Sequence, residues 1–288
     1  MEDRDHKHNF HTHTFRCKHA KGDVDDYCRR ALELGMETLG FSDHTALPDD
    51  RWLVARMPYA DLDNYVEAID RGRLDFPELK ILKGMECEYV PEFKAFYSEE
   101  LLGQYGFEFL VGASHFFLDD GEWVGTYGGT TDASSLRAYA DYTVEMMRSG
   151  LFDFIAHPDL FGNCYATWDT DTAACSRDIL EASRDLDVGM EINALGMRKQ
   201  ARQKPEDPFP LYPWRPFWEL AAEVGAPVIV NSDAHRPDDL QGLAGQAHNL
   251  REELKLREMD IGAMRARGTG RTRVCDCKNS KLGAVVCK

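Results

Sequence analysis

Ala226-Pro227-Val228-Ile229-Val230 runs directly into Asn231-Ser232-Asp233-Ala234-His235, and this junction decides how the rest of the chain reads. A short β-branched run bounded by Gly225 and a polar turn is the pattern of a buried strand. Asp233 and His235 sit two apart, so both side chains leave the strand end on the same side. A carboxylate and an imidazole projecting together can hold a metal ion. Near the N-terminus, His11-Thr12-His13 repeats the arrangement with two imidazoles.

Six further stretches fit the same design. Lys7 to Phe10 leads into His11-Thr12-His13. Met36 to Phe41 ends in Ser42-Asp43-His44, and Leu79 to Met85 ends in Glu86-Cys87-Glu88. Phe107 to Ala113 precedes Ser114-His115, and Phe152 to Ala156 precedes His157-Pro158-Asp159. Val188 to Ile192 leads to Asn193. Helical patterns fill most of the gaps. Asp23 reads as an N-cap with Asp26 three residues on, Val24, Tyr27, Ala31 and Leu34 fall at helical spacing, and Gly35 closes the helix. Further helices are expected from Tyr59 to about Gly72, Ser134 to Gly150, Cys175 to Leu186, and from Tyr212-Pro213 through Val224.

Strands alternating with helices argue for parallel βαβ units. A barrel gathers the carboxyl ends of its strands into one ring, whereas an open sheet spreads them along a crevice. Nearly every strand here carries His, Glu or Asp at that end, so the expectation is an α/β fold, a (β/α)7 barrel with its site at the C-terminal ends of the strands. The barrel should occupy residues 1–262, and 263–288, rich in Gly, Arg, Lys and Cys, should form an irregular tail.

The 288 residues suffice for one such barrel, and 43% hydrophobic with 29% charged residues suits a soluble globular protein. No apolar run approaches the roughly 20 residues of a membrane span. The opening residues are too polar for a signal peptide, which points to the cytoplasm. The formal charge of −16 repels polyanions, so nucleic acid is a disfavoured partner, and the motifs have no basic patch around them in sequence. The eight cysteines are scattered and read as reduced thiols. Cys275, Cys277 and Cys287 lack the fourth neighbour a soft-metal site needs.

A single histidine is more often a packed core residue than a ligand. Seven of the ten (His11, His13, His19, His44, His115, His157 and His235) fall at strand ends or in the loop just after one, joined by Glu86 and Asp233. Neutral imidazoles crowded together lack hydrogen-bond partners, and charged ones repel. Divalent cations resolve both problems, and so many ligands suit two or three ions sharing a carboxylate.

These motifs, in this order, resemble those of the polymerase-and-histidinol-phosphatase (PHP) superfamily over about residues 8 to 262. Within it the chain is similar to the monofunctional histidinol-phosphatase branch, on His11-Thr12-His13-Thr14 with Cys17 and His19-Ala20, on Glu191 to Lys199, and on Tyr212-Pro213. The resemblance implies a distorted seven-stranded barrel and a trinuclear site of zinc, iron or manganese. By motif, His11, His13, Glu86 and Asp233 would hold one ion. Glu86 would bridge to a second with His115 and His157, and His19, His44 and His235 would hold a third. It also implies a phosphomonoesterase acting on L-histidinol phosphate in histidine biosynthesis, in which a hydroxide shared by the metals attacks phosphorus. Arg198, placed in the loop after the sixth strand, is the expected phosphate clamp, since its planar fork suits a phosphate. Lys199 and His44 join it in binding substrate, while Glu86, Asp233 and His235 complete the catalytic set. Asp43 would orient His44 or cap a turn.

One departure stands out. A basic residue is expected shortly after the fifth-strand histidine, and this chain has Leu160-Phe161-Gly162-Asn163 there, with Lys83 or Arg236 as candidates to compensate. Phosphoesterases of other small esters or diesters therefore remain the alternative.

Overall fold

A computed structural model of the protein describes residues 7–262. The tail and its three cysteines lie outside the described residues. Eight strands form one sheet in which every neighbouring pair runs parallel. In chain order they are β1 (His8–Asn9), β2 (Thr38–Phe41), β3 (Lys80–Cys87), β4 (Phe109–Gly112), β7 (Phe154–Ile155), β8 (Gly189–Asn193), β9 (Pro227–Asn231) and β10 (Arg257–Glu258). Between β4 and β7 a separate hairpin pairs β5 (Phe116–Asp119) with β6 (Glu122–Gly125). Every residue of β2, β8 and β9 is buried, as strands covered on both faces must be.

The sheet curls until its first strand meets β9. Thr12 bridges Ala234 in parallel, with His13 N–H on Ala234 O at 2.9 Å and Ala234 N–H on His11 O at 3.1 Å. Below that bridge two side-chain amides replace missing ladder bonds. Asn231 Oδ1 accepts from Phe10 N–H at 2.8 Å, and Asn9 Oδ1 accepts from Ser232 N–H at 2.7 Å. Seven strands therefore make the barrel. β10, absent from the sequence reading, pairs Arg257 and Glu258 with Pro227 and Val228 at the other end of β9. It is two exposed residues long, too short to carry a periodic signal.

The helices follow the expected order with shifted ends. Val24–Glu33 starts at Asp23, and the Asp23/Asp26 capping box is formed. Leu62–Asp75, Ala133–Arg148 and Thr170–Leu186 pack around the sheet. The helix expected from Tyr212-Pro213 begins later, as Arg215–Val224 with Trp214 at its N-cap. Among the described residues, three helices of seven or more residues were not anticipated: the π-helical Phe96–Gln104, Ala194–Gln200 and Ala244–Glu253. The hairpin was not anticipated either, although Asp120-Gly121 is its turn. Both residues adopt positive φ, 48° and 83°, the backbone that an Asp-Gly pair provides in a tight hairpin.

Inside the barrel, Phe10, Leu82, Phe109, Val111, Phe154, Ile229 and Met259 form a buried apolar cluster. Phe109 is its plug. A Cβ on Gly84 would stand 2.2 Å from that ring, and one on Gly40 2.8 Å from it. The glycines leave room for an aromatic that closes the barrel beneath the polar end. Gly84→Ala should therefore cost about 1–3 kcal/mol through overpacking, read as a fall of several degrees in thermal midpoint. Adding Phe109→Leu should recover part of that loss.

Candidate metal and phosphate site

All nine side chains singled out in the sequence meet at one end of the barrel. His11 and His13 extend β1, His44 follows β2, Glu86 lies within β3, His115 follows β4, and His157 follows β7. Asp233 and His235 follow β9, and His19 arrives from the loop before the first helix. Only His19 among them is classed as exposed; His11 and His13 have no exposed surface. Register puts them together: His44 pairs with Glu86 across a parallel bridge, and Glu86 pairs with Val111. His157 and Asp233 take left-handed backbone at φ 31° and 47°. Such conformations cost of order 1–3 kcal/mol and persist where the surroundings over-determine them.

Glu86 is the hub. Its Oε1 lies 3.2 Å from His157 Nε2, 3.4 Å from His11 Nε2 and 3.6 Å from His115 Nε2. Its Oε2 lies 2.8 Å from His44 Nδ1 and 3.5 Å from His13 Nε2. Asp233 Oδ1 makes a second focus, 3.2 Å from His235 Nδ1, 3.3 Å from His13 Nε2 and 3.7 Å from His11 Nε2. His11 Nε2 and His13 Nε2 are 3.0 Å apart. Donor atoms of His11, His13 and Asp233 fall into one group, those of His44, Glu86 and His115 into another, and those of His13, His44 and His235 into a third. His44 thus stands between the sets of ligands that the sequence assigned to separate ions.

Several of these atoms are buried and close to one another yet make no well-aligned hydrogen bond: Glu86 Oε2, Asp233 Oδ1, His13 Nδ1 and His44 Nδ1. Leaving buried polar atoms unsatisfied costs about 1–3 kcal/mol each, and imidazole and carboxylate are donors suited to divalent cations. The residues present fit a cluster of such ions. Burial opposes charge on His11 and His13, but the carboxylates around them prevail and push both up, His13 to about 9. Burial holds His44 and His157 down and brings His19 to about 4. Burial also resists ionisation of Glu86 and Asp233, yet the surrounding imidazoles hold both well below the usual carboxylate range.

Behind the cluster stand carboxylates to which the sequence reading assigned no role. Glu191 accepts from His11 Nδ1 at 2.8 Å, Asn231 Nδ2 at 3.0 Å, Asn193 Nδ2 at 2.7 Å and His157 N–H at 3.1 Å. Glu88 faces His115 Nδ1 at 3.0 Å. A carboxylate beside one ring nitrogen orients the other toward a metal. A signal existed, since Glu88 and Glu191 both sit at the ends of expected strands. Of the two roles expected of Asp43, its bonds suit the holding of a turn and not the orienting of His44. It accepts from Thr14 N–H at 3.0 Å and from the Thr14 hydroxyl, and lies 3.6 Å from His13 Nδ1; it steadies the β1 loop and not His44.

The cluster opens into a cavity of about 600 Å³. Arg56, Arg198, Lys199, Arg202 and Arg236 also line it, as do Phe116, Tyr127, Leu195 and Tyr212. Arg198, Lys199 and Arg236 were singled out one by one in the sequence, but their meeting in one cavity with Arg56 and Arg202 was not legible there. Arg198 lies on the helix Ala194–Gln200 and not in a loop, because Asn193 caps that helix through Gly196 N–H. Its Nη2 donates to Asp233 O at 2.9 Å. Lys199 Nζ donates to Tyr212 Oη at 2.8 Å and Tyr127 Oη at 3.2 Å. Lys83 cannot compensate for the missing cation after His157: it is buried, its Nζ held by Asp70 at 3.1 Å and Tyr105 O at 3.2 Å. Arg236 does line the cavity.

The five cysteines among the described residues are unpaired, and no helix among those residues is long and apolar enough to cross a membrane.

Comparison with known proteins agrees with this geometry. A probable histidinol-phosphatase of Deinococcus radiodurans is 30% identical over 240 residues, covering 80% of this chain and 86% of that protein. A probable histidinol-phosphatase of Schizosaccharomyces pombe is 23% identical over 79% of the chain and 80% of its own length. Two solved structures share the fold. The putative histidinol phosphatase of Listeria monocytogenes superposes with a TM-score of 0.68 at 21% identity, over 83% of this chain and 99% of that one. The histidinol phosphate phosphatase of Lactococcus lactis, solved with zinc, L-histidinol and phosphate, gives 0.64 at 16% identity, over 88% and 95%. The model of the PHP domain matches residues 9–194, and with that match and the Deinococcus relative the chain belongs to the PHP domain family.

Proposed function

We infer that this protein is a metal-dependent phosphomonoesterase that hydrolyses L-histidinol phosphate to L-histidinol and phosphate, a cytoplasmic step in histidine biosynthesis. One observation carries the reading: the imidazole–carboxylate cluster and the cationic side chains of Arg198, Lys199, Arg202 and Arg236 line a single cavity. The names of the Deinococcus and fission-yeast relatives support the substrate, and the unpaired cysteines suit a reducing compartment.

His11, His13, Glu86 and Asp233 would hold one ion, Glu86 with His115 and His157 a second, and His19, His44 and His235 a third. Two to three divalent ions are proposed, with zinc, iron and manganese all compatible with these ligands. When bound, such ions lower the pKa of water and neutralise phosphoryl charge. The protein's own contribution is placement. Glu191 and Glu88 fix the rings of His11 and His115. Arg198, anchored on Asp233 O, is held beside the carboxylate end of the cluster. Its guanidinium and the Lys199 ammonium supply fixed positive charge where the phosphoryl oxygens gain negative charge. Phe116, Tyr127, Leu195 and Tyr212 line the same cavity and would give apolar contact to the imidazole of the leaving group. The turn after His157, Leu160–Asn163, carries no cation, and this favours, as second reading, another small phosphate ester or diester.

A panel of phosphate esters assayed with metal-loaded enzyme separates the two. L-histidinol phosphate should exceed simple aryl phosphates in kcat/KM by about two orders of magnitude; equal rates would remove the specific assignment. Asp233→Asn should lower kcat by at least about 100-fold while leaving the far-ultraviolet circular dichroism spectrum intact. Arg198→Lys keeps the charge but loses the planar fork. It should lower kcat/KM by roughly 10- to 100-fold, about 1.5–3 kcal/mol, chiefly through KM.

A further inference from the structure

Glu88 follows β3 by one residue and has no exposed surface; Arg56, from the long connection between β2 and Leu62–Asp75, is 2% exposed. Their side chains meet fork to fork, with Arg56 Nη1 on Glu88 Oε2 at 2.6 Å and Nη2 on Oε1 at 2.9 Å. Nη1 also reaches Thr45 O at 3.2 Å, and the guanidinium lies 5.3 Å over the Trp52 ring. The same Glu88 Oε1 also faces His115 Nδ1 at 3.0 Å, while His115 Nε2 lies 3.6 Å from Glu86 Oε1.

A carboxylate clamped by a guanidinium offers only lone pairs, so the proton between it and His115 belongs on Nδ1. That leaves Nε2 with its lone pair turned toward Glu86. Burying two opposite charges brings little net stability, and apolar pairs of similar volume often serve as well. A pair this deeply buried, directly behind one imidazole of the cluster, therefore fits a task beyond packing. His11 is backed differently, by Glu191, whose oxygens are filled by amide and imidazole donors and no guanidinium.

We propose that Arg56 and Glu88 are positioning residues for the His115 side of the metal cluster: Arg56 fixes Glu88, Glu88 fixes the ring and tautomer of His115, and cation binding on that side thereby depends on the connection after β2. This rests on the cluster being a divalent-cation site and not on the identity of the phosphate ester.

Zinc content and zinc affinity, the latter by competition with a chelator, test it on the purified full chain. Glu88→Ala should weaken zinc binding by about 10- to 100-fold. Its zinc content should fall as far as that of His115→Ala, and the double variant Glu88→Ala/His115→Ala should retain no less zinc than His115→Ala alone. Arg56→Lys, which keeps the charge without the fork, should fall between. If Glu88→Ala does not fold, Arg56→Met combined with Glu88→Leu removes both charges together and should fold, again with the zinc loss of His115→Ala. Wild-type zinc content and affinity in Glu88→Ala or in the paired variant would overturn the proposal. So would a double variant that loses the two single effects in full. An enzyme inactive on histidinol phosphate but showing these zinc losses would remove the substrate assignment and leave this inference standing.

Discussion

Glu86, 1% exposed, has imidazole nitrogens of His11, His13, His44, His115 and His157 within 3.6 Å of its carboxylate oxygens. Such a gathering has no stable protonic form: fully charged rings repel, and neutral ones leave donors and acceptors unmatched. It makes sense around cations. The rest of the architecture supplies what that demands, because the five rings come from four different strand ends and can converge only where parallel strands finish together. Strand register is what sets the distances, with His44 paired to Glu86 and Thr12 to Ala234.

The ring of donors is held by a layer of buried amides and acids beneath it. Asn231 uses its Oδ1 to close the barrel against Phe10 N–H and its Nδ2 to satisfy Glu191, which in turn orients His11. Asn193 donates to both Glu191 and Asp233 and caps the helix that carries Arg198. Closure of the barrel, orientation of the imidazoles and placement of the guanidinium thus share the same few side chains. Loss of one amide would be felt in all three, since contacts in one hydrogen-bonded network do not act independently.

Electrostatically the molecule is divided. Its formal charge is −16, yet the cavity beside the cluster gathers five cationic side chains, Arg56, Arg198, Lys199, Arg202 and Arg236. An acidic surface disfavours polyanions, while the small cavity carries a local positive field next to the imidazole–carboxylate cluster. The contrast separates a small phosphate ester from a nucleic acid by size and shape of field more than by total charge.

What the sequence determined by itself was the alternation of buried runs with helices and the polar residues at the strand ends. Strands covered on both faces read as uninterrupted apolar stretches, and these ligands lie within the strands or at most four residues past them, so Asp233, His235, Glu86 and His157 were legible where they stand. Arg202 and Arg236 at the cavity, the pairing of Arg56 with Glu88 and the exclusion of Lys83 were decided by the tertiary structure alone. Arg56 and Glu88 are 32 residues apart, and whether a cation on β3 faces the mouth or Asp70 depends on which side of the strand it occupies. Helix spacing and strand alternation are local and survive in the order of residues, but a contact between loops exists only after the barrel has closed.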